Sequence, residues 1–489
     1  MASLYLTATH KSSGKTVVAL GLCRAWCERG ITVQPFKKGP DYIDPIWLGM
    51  AARRDCHNLD FHTMDRAEIR RTFERYATTA DVALVEGNKG LYDGMDTRGS
   101  DSNAALAKLL AVPVVLVVDC SGMTRGIAPL LLGYQQFDPG LRFAGVILNR
   151  VAGSRHEGKL RAAVEHYSDL AVLGAVGRSQ QLQIVERHLG LIPGNEVGSS
   201  EELIGAIGRA VDGQVDLDRL GAMAQSNGRP SVGGGYAPPA TPKPDVALGI
   251  ARDAAFGFYY PGDLEALSAA GAQLVPIDTL RDTELPRIDG LFIGGGFPET
   301  QMHALEANWR LRHAIREAIG AGLPVYAECG GLMYLSRSIQ WADRRCQMVG
   351  AIPADVQMCD RPQGRGYVRL RETGAGPWPL RTGEGTLADF PAHEFHYSKL
   401  INYDGFRYAY QVLRGHGIDG KRDGIVMANM LASFSHLRDV AANHWAERFV
   451  RFVRAYRGSL QPVICSEGVT GSATRADMAG RIGVDQCLR

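Results

Sequence analysis

The stretch Val325-Tyr-Ala-Glu-Cys-Gly-Gly-Leu-Met-Tyr-Leu335 carries residue types suited to covalent chemistry. An apolar, strand-like run stops on Cys329, and two glycines lead into a helix-like segment. A strand that turns sharply into a helix pushes the turn residue out of both elements and surrounds its side chain with backbone N–H groups. A cysteine there is expected to be exposed, close to the positive end of a helix and easier to ionise, which is how a thiol nucleophile is built. The alternative is a small buried apolar cysteine. A thiol nucleophile needs a base. His436, which closes the strand-like run Met430-Leu-Ala-Ser-Phe-Ser-His436, is the candidate. The run Gly290-Leu-Phe-Ile-Gly-Gly-Gly-Phe-Pro-Glu299 places three glycines between a strand and a helix start. Successive glycines bring N–H groups close to a substrate, so Gly294, Gly295 and Gly296, with Gly330 beside the thiol, are candidate oxyanion donors. His393, His396 and Tyr397 lie in an aromatic and polar cluster suited to a substrate wall.

A second group of residues speaks for phosphate chemistry. Residues 3–9 form an apolar strand, followed by His10-Lys-Ser-Ser-Gly-Lys-Thr16 and a helix-like segment. Strand, Gly-Lys-Thr loop and helix is the context of a P-loop. Ser12, Ser13 and Gly14 would cradle phosphates with their backbone, Lys15 would reach the outer phosphates, and Thr16 would hold Mg²⁺. Thr9 stands where the pattern has its first glycine. After the next strand, Lys37 could reach phosphate, while Asp41 and Asp44 follow a Gly-Pro turn and could reach a metal. Asp81-Val-Ala-Leu-Val-Glu86 is a buried strand ending in an acid, the usual place of a second Mg²⁺ holder, and Asp93 follows in the next loop. ATP, Mg²⁺ and a second, thiol-dependent substrate are therefore expected.

These residues need elements to hold them. Strand-like and helix-like runs alternate, with further apolar strands at Val112–Asp119 and Phe143–Asn149, which predicts an α/β chain with a mostly parallel sheet and ligands at the strand carboxyl ends. At 489 residues, two domains are expected. We read residues 1–224 as the P-loop domain, 225–244 as a Gly-, Pro- and Ser-rich linker, 245–456 as the thiol domain and 457–489 as a loosely held tail. The formal net charge of +2 gives no global bias towards nucleic acid or anionic membranes. No apolar run is long enough to span a bilayer. Met1-Ala-Ser-Leu-Tyr leads into a strand without a basic stretch or cleavage site, and the nine cysteines show no paired metal-like spacing, so a cytoplasmic protein with reduced thiols is expected.

Taken in order, the P-loop, Pro-Phe-Lys-Lys-Gly-Pro-Asp-Tyr-Ile-Asp-Pro, Val-Glu-Gly with Gly-Leu-Tyr-Asp-Gly, Gly-Gly-Gly-Phe-Pro-Glu, Ala-Glu-Cys-Gly-Gly-Leu-Met-Tyr-Leu and His-Glu-Phe-His-Tyr-Ser resemble the cobyrinic acid a,c-diamide synthase family from about residue 3 to about 455. The resemblance implies a dethiobiotin-synthetase-like ATP domain joined to a class I glutamine amidotransferase-like domain. It implies L-glutamine as ammonia donor and a tetrapyrrole acetate as acceptor, with a homodimer left open as the assembly. By matching position it implies Cys329 as nucleophile, His436 as base, Gly294–Gly296 in the oxyanion hole, Ser12–Thr16 as phosphate loop, and Asp41 or Asp44, Glu86 and Asp93 as synthetase-site acids. Class I amidotransferases usually carry Glu two residues after the catalytic His. Here that residue is Arg438, so a Cys–His dyad is implied. Asn88-Lys89 and Thr124–Pro129 depart from the common form and resemble a subgroup of sulfur oxidisers thought to amidate sirohaem.

Overall fold

In the computed structural model, residues 2–179, 184, 186–187, 190–225 and 242–460 are described. The linker expected at 225–244 lies largely outside these residues, as does the tail from 461 onward.

The first half is a parallel sheet of seven strands. β1 (Ala2–Ala8), β2 (Val33–Lys38), β3 (His57–Leu59), β4 (Val82–Glu86), β5 (Val114–Asp119), β6 (Phe143–Val151) and β7 (Val172–Gly177) take the order β3-β2-β4-β1-β5-β6-β7. β1, β2 and β4 are buried along their whole length, so both faces must be covered; β1 and β4 read as mostly apolar runs, whereas β2 (Val-Gln-Pro-Phe-Lys-Lys) buries two lysines at its carboxyl end. β1 is the centre: it pairs with β4 on one side and β5 on the other, and the loop that follows it opens at this point of divergence. Helix α1 (Lys15–Glu28) starts from that loop. It is buried nearly all round, because the helix Ser200–Asp212 closes over its outer side. There Arg24, 1 % exposed, forms its ion pair with Glu201 at 2.8 Å.

The second half opens on Val246–Ala251 and holds a nine-stranded sheet. Its parallel part runs Ala272–Ile277, Val246–Ala251, Gly290–Ile293, Val325–Glu328 and Met430–Ser433. The antiparallel part continues through Arg422–Met427, Arg407–Arg414, Gly364–Glu372 and Asp389–His396. The antiparallel part curls back far enough for His393 to bridge to His436 beyond the central strands. The last helix, Trp445–Leu460, lays Trp445, Phe449 and Val453 against the sheet at four-residue spacing. It extends slightly past residue 457, where helical pattern was expected to fade.

Cys329 stands at the turn between the strand Val325–Glu328 and the short helix Gly330–Leu335. The helix lies directly on the strand Gly290–Ile293: a Cβ on Gly331 would come within 2.3 Å of the Ile293 carbonyl oxygen. That is backbone against backbone, which no rotamer change relieves. Gly331→Ala should cost about 1–3 kcal/mol through overpacking, read as a lower thermal midpoint of the second domain's transition. It should also reduce thiol-dependent activity, because the turn that presents Cys329 rests on this contact.

Candidate functional site

The two sets of candidate residues form two sites that face each other across the contact between the halves. In the second half, Cys329 and His436 follow the carboxyl ends of two adjacent parallel strands, and the Cys329 N–H donates to the Ser433 carbonyl at 2.7 Å. Cys329 has φ 49° and ψ −101°, a costly conformation for a residue with a Cβ. Strain of this kind is held only where the surroundings fix it, here the strand pairing and the glycine contact below. The Gly330 N–H lowers the thiol pKa, and a Cβ on Gly330 would lie 3.0 Å from the Gly296 nitrogen. The thiol, Gly330 and the glycine loop therefore converge. His436 borders the same loop, since a Cβ on Gly295 would lie 2.5 Å from its Cε1.

Three expectations need correction. Cys329 is not exposed; it is 6 % exposed, and its Sγ lies 3.9 Å from the Phe395 carbonyl oxygen. Burial, with the Glu299 carboxylate adding to it, pushes its pKa up rather than down. Gly294 does not offer its N–H to an oxyanion, because it already donates to Tyr259 Oη at 2.9 Å. His393 and His396 do not form an open wall: they are 4 % and 3 % exposed. His396 stacks on Phe434 at 4.0 Å, and His393 stacks on His436 at 4.8 Å. Tyr397, half-buried at the end of the same strand, accepts the Cys359 N–H through its carbonyl.

The orienting acid of His436 is one that the usual spacing does not point to. Glu328, immediately before Cys329, has Oε2 3.4 Å from His436 Nδ1. Its Oε1 accepts the Leu437 N–H at 2.8 Å and the Tyr326 hydroxyl at 2.5 Å. Arg438, where the acid is usual, instead crosses to the first half. Its guanidinium donates to the Asn58 carbonyl at 2.5 Å and to Thr63 Oγ1 at 3.3 Å. Asp423 fixes the approach to His436 by accepting the N–H groups of Phe434 and Ser435 at 3.0 and 2.9 Å. Nothing in its local sequence singles Asp423 out.

In the first half, Gly14 has φ 83°, and a Cβ there would lie 2.1 Å from Asn149 Nδ2, which donates to the Ser13 carbonyl at 2.7 Å. Asn149 thus braces the loop from the end of β6. Ser13 is buried, with Oγ donating to the His10 carbonyl at 2.8 Å, and Ser12 is exposed with φ 67°. Thr16 Oγ1 donates to Glu86 Oε1 at 2.7 Å and lies 3.5 Å from Asp44 Oδ2. Lys37, 1 % exposed, bonds Asp44 and lies 3.2 Å from Glu86 Oε2 and 3.8 Å from Asp41 Oδ2. Burial opposes its charge, but these carboxylates outweigh burial and raise its pKa. Asp41 is pushed up to about 7 by burial and by Asp44 beside it, whereas Lys37 holds Asp44 down against burial. Lys15 is lowered by burial and by Lys37. Glu86 is raised chiefly by burial, and its Oε2 has no hydrogen bond. Asp93 is exposed and accepts the N–H of Gly90 in its own loop at 3.0 Å, outside the Lys37 cluster. Hard oxygen donors from Thr16, Asp44 and Glu86 fit Mg²⁺; the buried Glu86 Oε2 makes no hydrogen bond and has only the Lys37 ammonium, at 3.2 Å, as ion-pair partner.

A phosphate-binding loop on a doubly wound sheet, with a strand–cysteine–helix turn and histidine on a second sheet, defines an ATP-dependent enzyme that draws ammonia from glutamine. Residues 5–192 match the CobQ/CobB/MinD/ParA nucleotide binding domain, and residues 247–443 match the CobB/CobQ-like glutamine amidotransferase domain. The cobyrinate a,c-diamide synthase of Magnetococcus marinus is 46% identical over 466 residues, covering 94% of this chain and 98% of that one. The synthases of that name from Archaeoglobus fulgidus and Methanosarcina acetivorans are 39% and 38% identical, covering 91% and 94% of this chain and 96% of each relative. The chain belongs to the cobyrinate a,c-diamide synthase family and is a glutamine-dependent amidoligase. Among the described residues, no helix is long and apolar enough to cross a membrane.

The buried thiol makes a kinetic prediction. With its pKa raised, Cys329 in the free enzyme carries little thiolate at neutral pH, and thiolate is the reactive form. Its alkylation by iodoacetamide should climb about tenfold per pH unit up to pH ~9 without a plateau. A plateau near neutral pH would show an already ionised thiol.

Proposed function

We propose that this enzyme amidates the a and c acetate side chains of cobyrinate, using ATP and ammonia released from glutamine. The observation that carries the reading is the pairing of two sites in one chain. A thiol with a base and an acid lies in one, and a P-loop with a carboxylate cluster around the buried Lys37 lies in the other, with Tyr42 between them in contact with His436. The acceptor follows from the name shared by relatives that align with nearly the whole chain.

In the second domain, Cys329 Sγ adds to the side-chain amide carbon of glutamine while His436 takes the thiol proton and passes it to the departing nitrogen. Glu328 accepts from Nδ1 and keeps Nε2 free to act as base. The N–H groups of Gly330 and of the Gly295–Gly296 loop face the oxyanion. Ammonia leaves, and water cleaves the γ-glutamyl thioester to glutamate. In the first domain, a carboxylate oxygen of the acceptor attacks the γ-phosphorus of ATP and ADP departs. Activation is required because a carboxylate is a poor electrophile with a poor leaving group. Lys15 and Lys37 offset charge on the phosphates. Thr16, Glu86 and Asp44 would hold Mg²⁺, with Asp41 beside them, and the ion would polarise the phosphoryl oxygens. Ammonia then attacks the acyl phosphate carbon and phosphate leaves, forming the amide. The ammonia must stay out of bulk water, since free ammonia is largely protonated at neutral pH.

Two sets of measurements test this. Mass spectrometry of products from cobyrinate, hydrogenobyrinate and sirohaem, offered side by side with glutamine and ATP, should show cobyrinate gaining two amides. Preferential amidation of sirohaem would instead assign the chain to the acceptor that Asn88-Lys89 suggests. Cys329→Ala should lose glutamine-driven amidation and keep ammonium-driven amidation, and His436→Ala should lower the glutamine-driven rate roughly 10²–10⁴-fold. Lys15→Ala should lose both routes. Equal loss of both routes in Cys329→Ala would overturn the division of labour.

A further inference from the structure

Three side chains with metal-binding atoms converge outside the two sites described above, and no step of the chemistry uses them. His303 and Glu306 stand one turn apart on the short helix Met302–Ala307, and Cys346 lies on the strand Arg344–Gln347. Cys346 Sγ is 3.2 Å from His303 Nδ1, and the thiol, imidazole and carboxylate ligand atoms all lie within 4.8 Å of one another. Around one tetrahedral zinc ion, bond lengths of about 2.0–2.3 Å put such donors roughly 3.3–3.7 Å apart. Small rotations of His303 and Glu306 therefore bring all three onto one ion. Cys346 is 1 % exposed, Glu306 is half-buried and His303 is exposed. The cluster is closed on the thiol side and open on the histidine side, where water supplies a fourth ligand.

The helix and the strand are already held in this register. The Gln347 N–H donates to Glu306 Oε1 at 2.6 Å and fixes the carboxylate beside the thiol. Arg312 donates to the Glu306 and Met348 carbonyls at 2.7 Å each. Arg344 is the competing cation, with its guanidinium 3.5 Å from His303 Nε2. It is exposed and turns into solvent when a metal takes Nδ1, because Nε2 then carries the ring proton. Thiolate and carboxylate together balance a 2+ charge, and thiolate with imidazole favours zinc over hard cations. The all-oxygen set of Thr16, Asp44 and Glu86 has the opposite preference. Both elements lead straight out of the glutaminase site. The helix follows the Gly294–Gly296 run by way of Pro298–Gln301. The strand closes a hairpin with Ser336–Trp341, which begins where the helix Gly330–Leu335 ends.

We propose that His303, Glu306 and Cys346 form a zinc site, with water as fourth ligand, that clips the helix after the oxyanion glycines to the hairpin after the nucleophile. The ion displaces the Cys346 thiol proton to solvent and takes the thiolate as ligand, with no change of oxidation state. Its effect is to cross-link the two segments that frame the glutamine pocket from outside that pocket. The site holds whichever acceptor the synthetase domain amidates.

Zinc also has an affinity for the catalytic thiol, so the measurement uses Cys329→Ala enzyme, stripped of metal by a chelator and titrated with Zn²⁺ alone against a coloured competitor. One ion should bind per chain, at micromolar affinity or tighter. Cys346→Ser and His303→Ala, each added to that background, should weaken binding by more than the roughly 10–100-fold that loss of an outer partner of a metal site costs. Co²⁺ in place of Zn²⁺ should give a thiolate charge-transfer band that the Cys346→Ser variant lacks. Zinc at about 100 times its Kd should raise the thermal midpoint of the second domain's transition by roughly 5 °C or more, and should leave the Cys346→Ser variant unmoved. His303 is exposed, so its variant leaves the core intact and tests the site independently of Cys346. Absence of stoichiometric zinc from the Cys329→Ala enzyme would overturn the site, as would affinity and cobalt band that survive Cys346→Ser. Binding that depends on these ligands without a thermal shift would overturn the clip.

Discussion

Lys37 is the point on which the two sites turn. An ammonium this deep in a protein is unfavourable unless carboxylates surround it, and the fully buried Glu86 carboxylate, with the partly buried Asp41 and Asp44 beside it, is equally unfavourable without a cation. β2 delivers the lysine and β4 delivers Glu86 to the same sheet edge, in register with each other. The remaining two acids must come from the loop after β2, which bends back over its own strand end. Asp41 then accepts the N–H groups of Ile43 and Asp44 at 3.0 and 3.3 Å and so starts helix α2 (Ile43–Ala52). Charge neutralisation at Lys37 thus decides where α2 begins, and the start of α2 decides where Tyr42 points. The contact with His436 is a consequence of balancing one buried cation.

The thiol site follows the opposite logic. Cys329 is closed in, its proton is held by burial, and its backbone is strained. A thiol in that state neither attacks an amide nor oxidises readily. Its reactivity has to be assembled by substrate in the pocket and by a base in the right tautomer. The same enclosure suits a site whose product is ammonia, because it limits contact with bulk water to the single molecule that the thioester needs for its cleavage. The strand–turn–helix frame supplies geometry, and the Glu328 carboxylate lies 3.4 Å from the base.

Much of this was legible in the residues. The P-loop showed itself through strand, Gly-Lys-Thr and helix, and Cys329 through a strand that ends on a Cys-Gly-Gly turn. These are local patterns, and local patterns survive folding unchanged. Burial of Cys329 was not legible, because exposure at a sharp turn is a local expectation and the roof over it comes from Phe395, far along the chain. The loss of Gly294 as a donor has the same origin, since Tyr259 reaches it from a segment 35 residues earlier in the chain. His393 and His396 looked like a wall because their neighbours are polar and aromatic. The curl of the antiparallel strands turns them inward. Glu328 stood in plain view beside the cysteine, yet its partner is more than a hundred residues away, and spacing carries no sign of it.

Arg438 shows how these readings fit together. An acid two residues after the histidine would orient the ring from within its own loop and leave that loop facing its own domain. Here Glu328 orients the ring from the strand that carries the nucleophile, so the position two residues on is free for another use. The chain spends it on a buried arginine that bonds a carbonyl and a hydroxyl of the other domain and lies 4.9 Å over the Tyr260 ring. A buried cation so bonded tolerates little sliding between the domains, because any shift would strip it of partners with nothing to replace them. Moving the acid one residue upstream of the cysteine and placing an arginine after the histidine are therefore one change. Together they let the histidine segment serve both as part of a catalytic site and as the seam to the domain that uses its ammonia.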